Sequence, residues 1–152
     1  MKLFDWWLKA SPAVGLGAWI VLYVIFGRQM AFASHKNIYE PRVPKDILEE
    51  VQEIENPYSP TPERVEAGRK IYYGKGLCVT CHSKNGKGVK VPGHSPRNFT
   101  DTKWQDLRTD GELMWVLRNG SPGTGMPIRV GKVITEEEGW NVILFIRTFS
   151  GK

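Results

Sequence analysis

The 152-residue chain contains two cysteines, and they stand together in Cys78-Val79-Thr80-Cys81-His82. Two thiols at this spacing, followed directly by an imidazole, match one chemistry best. Both sulfurs add to the vinyl groups of a haem, and the histidine lies beneath the iron. Other uses of the same residues fit less well. Structural zinc takes four Cys or His ligands, and no second pair is present. A thioredoxin-type dithiol belongs to a βαβ context, which is missing. A pair so close in sequence also cannot act as a long-range staple for a small secreted domain. The motif therefore predicts one covalent haem c on Cys78 and Cys81, with His82 as an axial iron ligand.

If the iron is to change charge without binding a substrate, its opposite position must be filled, and methionine is the natural candidate. Of the four methionines, Met1 is the initiator and Met30 sits at the edge of an apolar segment. Met114 lies in a helical pattern beside Leu113, Trp115, Val116 and Leu117, where core packing explains it. Met126 differs. It stands in Asn119-Gly-Ser-Pro-Gly-Thr-Gly-Met-Pro127, a loop whose glycines let the backbone pass close to a flat ring. Met126 is the expected second iron ligand. His94 is the rival, but a lone loop histidine is usually solvated or hydrogen-bonded.

These residues must be positioned by helices. Thr61-Pro62-Glu63-Arg64 forms an N-cap and first turn, with Val65, Gly68, Ile71 and Tyr72 following at helical spacing and Gly74 and Gly76 as stops. Two further helices are predicted, over Asp110–Arg118 and, after a Thr-Glu-Glu-Glu capping signal, over Thr135–Phe149. No strand pattern appears between them. The fold class is all-α, a small helical domain over residues 61–152 around one covalent haem.

Two segments precede that domain. Residues 1–34 hold an uncharged stretch, Pro12–Phe26, with apolar character continuing past Arg28. At about 1.5 Å per residue, Pro12 to Ala33 would span about 33 Å, enough for a hydrocarbon core of roughly 30 Å if Arg28 snorkels to the surface. A single transmembrane helix is expected, with Leu3–Leu8 in the headgroup region where Trp collects. Ala31-Phe32-Ala33 also has the form of a signal-peptidase site, but Arg28 so near the cut favours a retained anchor. Residues 35–60 form a charged, Pro-containing linker. Within it, Ile47, Leu48, Val51 and Ile54 share one face of a short amphipathic helix over residues 45–55. That helix covers the domain or docks on a neighbouring subunit.

Charge is distributed unevenly: net +2 over residues 1–34, −3 over 35–60 and +6 over 61–152, within an overall +5. A basic domain behind an acidic stalk suits electrostatic docking to an acidic redox partner. Lys75, Lys84, Lys87, Lys90, Arg129 and Lys132 flank the two haem-contacting segments. No basic run interleaved with aromatics and no nucleic-acid-binding motif is present, so nucleic acid is not an expected partner.

Residues Thr61 to Lys152 resemble the class I c-type cytochromes, the small all-helical monohaem family. The resemblance rests on Cys78-x-x-Cys81-His82, on Gly125-Met126-Pro127, and on the order of Met loop and final helix. It implies that Gly68 and Tyr72 on the first helix cross the last helix near Phe145 or Trp140. It further implies that Pro96, or alternatively Pro92, supplies the carbonyl that orients His82. Haem attachment of this kind is completed outside the cytoplasmic membrane, which puts the domain on the periplasmic side of a bacterial inner membrane. The function so implied is a membrane-anchored one-electron carrier, not itself an enzyme, serving or belonging to a respiratory or photosynthetic complex. The alternative is a haem enzyme of peroxidase type, or a sensor, with an open iron position.

Overall fold

The computed structural model describes residues 37–89 and 95–152. The expected interfacial segment and membrane helix, together with Lys90, Pro92 and His94, lie outside those residues. Among the described residues, no helix is long and apolar enough to cross a membrane.

Short polar residues start most of the helices. Thr61 caps α2 (Pro62–Tyr73), its hydroxyl accepting from the Arg64 N–H at 3.4 Å, with Pro62 in the first turn where a missing N–H costs nothing. Thr109 and Glu112 form a reciprocal capping box on α5 (Asp110–Asn119), and Thr135 and Glu138 do the same on α6 (Glu136–Arg147). Asp101 caps α4 (Thr102–Leu107), accepting from the Trp104 N–H at 3.1 Å. Two short helices complete the set, α1 (Leu48–Gln52) in the linker and α3 (Val79–His82) in the cysteine motif. No strand occurs among the described residues beyond an isolated bridge between Val130 and Ile134.

Helices α2 and α6 cross at Gly68. A Cβ there would lie 1.9 Å from the Asn141 carbonyl oxygen and 3.1 Å from Phe145 Cβ, so only glycine permits the approach. One turn on, the fully buried Tyr72 ring meets Phe145 edge to face at 5.3 Å. Phe145 is thus the aromatic of the crossing, while the Trp140 carbonyl accepts from Asn56 Nδ2 at 3.3 Å. Met114, Val142 and Ile143 are fully buried beside them, Met114 as a core residue.

Residues His35–Lys152 form one compact unit, so the linker packs on the helical domain. The contact is another close backbone approach: a Cβ on Gly111 of α5 would lie 2.0 Å from the Val51 carbonyl oxygen and 2.8 Å from that of Ile54. Helix α1 is shorter than the expected 45–55. Ile47 at its start has no side-chain oxygen to cap it, and Pro57 disfavours helical backbone at Asn56. Of the expected apolar face only Val51 is buried, and Ile54 remains 37% exposed.

The α4 helix was not foreseen. It is tied down by Arg147, whose guanidinium donates to the Gln105 carbonyl (2.8 Å), the Arg108 carbonyl (2.6 Å) and Asp110 Oδ1 (2.8 Å). Buried Gln105 in turn donates to the carbonyls of Phe99 and Ile146. The Gln105 amide and the Arg147 guanidinium thus each have partners, which is the condition for tolerating them in a core.

Gly68→Ala should lower the unfolding free energy of the haem-loaded protein by roughly 3 kcal/mol, the upper range for overpacking, because backbone rather than a flexible side chain must yield. Denaturant titration measures it, and a change below about 0.5 kcal/mol would mean the crossing is looser than described.

Candidate cofactor site

The cysteine motif is held in an unusual backbone. Leu77 before it and Ser83 after it both have positive φ, 53° and 59°, without being glycine. Such conformations cost on the order of 1–3 kcal/mol each and persist only where surrounding structure enforces them. Leu77 is held by its own N–H on the Gly74 carbonyl at 2.9 Å, and two tyrosines of α2 hold the Ser83 end. Tyr72 donates its hydroxyl to the Ser83 carbonyl at 2.8 Å, and Tyr73 donates to that of Lys84 at 2.6 Å. The loop then folds back, with the Gly88 N–H on the His82 carbonyl (3.0 Å) and the Val89 N–H on that of Cys81 (2.9 Å). Gly86, at φ +74°, packs its backbone on the Phe149 ring, where a Cβ would come within 2.8 Å.

His82 is fixed on two sides. Its ring stacks on Phe99 at 4.3 Å and an interplanar angle of 16°, and its Nδ1 lies 3.1 Å from the Arg97 carbonyl oxygen. A carbonyl can only accept, so Nδ1 carries the proton and Nε2 keeps its lone pair for a metal. Burial pulls the imidazole pKa below its ordinary value, outweighing the carbonyl bond that opposes it. The ring is therefore neutral at pH 7, as a metal ligand must be.

The orienting carbonyl was expected on Pro96, and the structure places that of Arg97 there instead. Successive carbonyls of an extended segment face opposite ways. The Pro96 carbonyl accordingly faces Gly88, 2.9 Å from where a Cβ would stand. Pro96 remains part of the site as a wall residue.

Cys78, Cys81, His82, Pro96 and Met126 all border one cavity of about 390 Å³, within the roughly 300–1,000 Å³ of small-molecule sites. Its remaining wall is mainly apolar, with Phe99, Trp104, Leu113, Leu117, Ile143 and Ile146 from four different segments. Met126 is half-buried and reaches the core, although the loop around it is exposed. That loop is closed by the Ser121 N–H on the Met126 carbonyl (3.0 Å) and the Met126 N–H on Thr124 Oγ1 (3.2 Å). Gly120, at φ +72°, lies so close that a Cβ would stand 2.8 Å from the Met126 carbonyl oxygen.

The donor set fits a haem. Among the described residues, no group of three or more His, Cys, Asp or Glu could hold a bare metal ion. One imidazole, one thioether and two thiols beside an apolar slot suit an iron that brings its own macrocycle. Burial also pushes the Cys78 thiol up to about 11. A working dithiol catalyst needs the opposite shift, since the thiolate is the reactive form.

Of the basic residues expected to ring the site, Lys75 is paired with Glu138 at 2.6 Å, whereas Lys84, Lys87 and Lys132 are exposed and Arg129 borders the cavity. Sequence reasoning missed Arg42, Arg97 and Arg108, which also line the wall. Burial, then the charges of Arg42 and Arg108, push the Arg97 guanidinium down to about 10. It also missed the grip of Tyr72 and Tyr73 on the segment after His82, although the adjacent tyrosines were visible.

A family model described as cytochrome c oxidase, cbb3-type, subunit III matches residues 63–146, more than half of the chain. No curated protein and no solved structure gives a significant match.

Replacing both Cys78 and Cys81 with Ala should abolish haem staining after denaturing electrophoresis, whereas wild type keeps its stain. Haem surviving denaturation in the double variant would mean that attachment lies elsewhere.

Proposed function

The chain belongs to the cbb3-type cytochrome c oxidase subunit III family, which makes it a haem c electron-transfer protein, and on that premise we propose that it relays single electrons through one haem closed between His82 and Met126. The observation that carries this reading is the shared cavity. His82, with its lone pair directed by Arg97, and Met126, on a loop closed by its own hydrogen bonds, border the same apolar slot as the two thiols.

When bound, the haem supplies a one-electron couple, and a thioether ligand raises its potential relative to a second imidazole. The chain does the rest. Phe99 and the Arg97 carbonyl hold His82 at one ring angle, so a change of iron charge needs no imidazole rotation. Phe99, Trp104 and Ile146 keep water from the ring. Exposed Lys84, Lys87 and Lys132 offer positive charge to an acidic partner surface, which mainly speeds encounter.

The remaining parts of the proposal concern location. Residues 12–33 anchor the chain in a bacterial inner membrane with the haem domain on the periplasmic side, and its partners are the other subunits of a respiratory oxidase complex. A tether of this kind raises the effective concentration of the carrier near those partners.

In an optical redox titration, Met126→Ala should lose the Met-to-ferric-iron charge-transfer band. Its potential should fall by more than about 59 mV, a tenfold shift for one electron. An unchanged band and potential would exclude Met126 and assign the ligand to another methionine, whereas wild-type protein that already lacks the band and binds exogenous ligands would favour a haem enzyme or sensor with an open position.

A further inference from the structure

The family match begins at residue 63, yet residues well before it belong to the cavity wall, Arg42 among them. The strap that carries Arg42 is fixed on both sides. Arg108 Nη2 donates to the Tyr39 carbonyl at 2.8 Å, the Tyr39 hydroxyl donates to Asp101 Oδ2 at 3.2 Å, and Val43 is buried. Lys103 Nζ also lies 4.5 Å from the centre of the Tyr39 ring.

Three guanidiniums thus meet at one wall, since Arg97 lies within electrostatic reach of both Arg42 and Arg108. Arg108 is matched by Glu112, and both side chains are nearly sealed from solvent, at 9% and 3% exposure. Arg42 and Arg97 are not matched. Neither forms an ion pair among the described residues. Arg42 Nη1 is moreover buried without a hydrogen-bond partner there, as is Arg108 Nε on the same wall, although Arg108 alone has a carboxylate partner. Glu40 lines the same cavity and favours the charged form of Arg42, but the two form no salt bridge. A partly buried cation lacking a counter-charge is costly, and its usual remedy is an anion held by charge-assisted hydrogen bonds.

Resting on the haem reading above, we propose that Arg42 and Arg97 hold the two carboxylates of the porphyrin side chains, so that the linker is a wall of the cofactor site and not a spacer. Two guanidiniums that form no ion pair among the described residues, with Glu40 and Asp101 acting on them only at longer range and the Trp104 ring 5.8 Å from Arg97, complement a ligand that is apolar except for two carboxylates. Arginine suits the role because its planar fork matches a carboxylate. The same cation offsets the negative charge that would otherwise favour ferric iron, so Arg42 is also a positioning residue for the potential.

The test uses full-length, haem-loaded protein in detergent, with Arg42→Gln and Arg42→Lys followed by optical redox titration and resonance Raman spectroscopy. Arg42→Gln should shift the couple toward ferric by roughly tenfold, about 59 mV, with the charge-transfer band of the iron unchanged. Arg42→Lys should recover most of that shift while still moving the carboxylate bending band, because it keeps the charge and loses the fork. A potential unmoved in Arg42→Gln, equal falls in both variants, or an unmoved bending band in Arg42→Lys would overturn the proposal while leaving the haem reading intact. Wild-type protein with no attached haem would overturn both.

Discussion

Two helix backbones touch at Gly68, and the cofactor site inherits its geometry from that contact. With no side chain between them, α2 and α6 approach until position 68 meets the Asn141 carbonyl. Tyr72 is then driven into the aromatic cluster of Phe145 and Phe149, and its hydroxyl reaches Ser83 at the end of the cysteine motif. A single neutral hydrogen bond contributes only about 1 kcal/mol, less than the cost of two left-handed non-glycine residues. The bond from Tyr73 and the burial of Tyr72 add to it at the Ser83 end, while Leu77 is held by its own backbone bond to Gly74. A substitution at the crossing therefore acts on the motif as well as on the core.

The site itself divides its duties among segments far apart in sequence. The motif presents His82, and the extended stretch through Arg97 and Phe99 sets its ring. The loop after α5 presents Met126, while α5 and α6 supply the apolar floor. Nothing in this arrangement asks a side chain to move when the iron changes charge. That is what separates a carrier from an enzyme that must admit a substrate to the metal.

Much of this was legible in the sequence because the responsible signals are local. Cys78-x-x-Cys81-His82 points to its chemistry through five adjacent residues once a second ligand pair and a βαβ context are seen to be missing, and Thr109, Thr135 and their partners Glu112 and Glu138 mark helix starts by hydrogen bonds three residues long. What escaped depends on backbone direction and on distant pairing. Whether Pro96 or Arg97 turns its carbonyl to His82 is a matter of one residue's register in an extended segment. Helix α4 is only six residues long and is stabilised by Arg147, forty residues on, so no local periodicity announced it. The linker's approach to α5 through Gly111, and the delivery of Arg42 to the cavity, are likewise tertiary facts with no pattern of their own.

The most direct measurement is the exposure of reduced, full-length protein to carbon monoxide while its visible spectrum is followed. An iron closed by His82 and Met126 gives no spectral change on the timescale of mixing. Prompt formation of a carbonyl complex would show an open position and contradict the electron-carrier assignment.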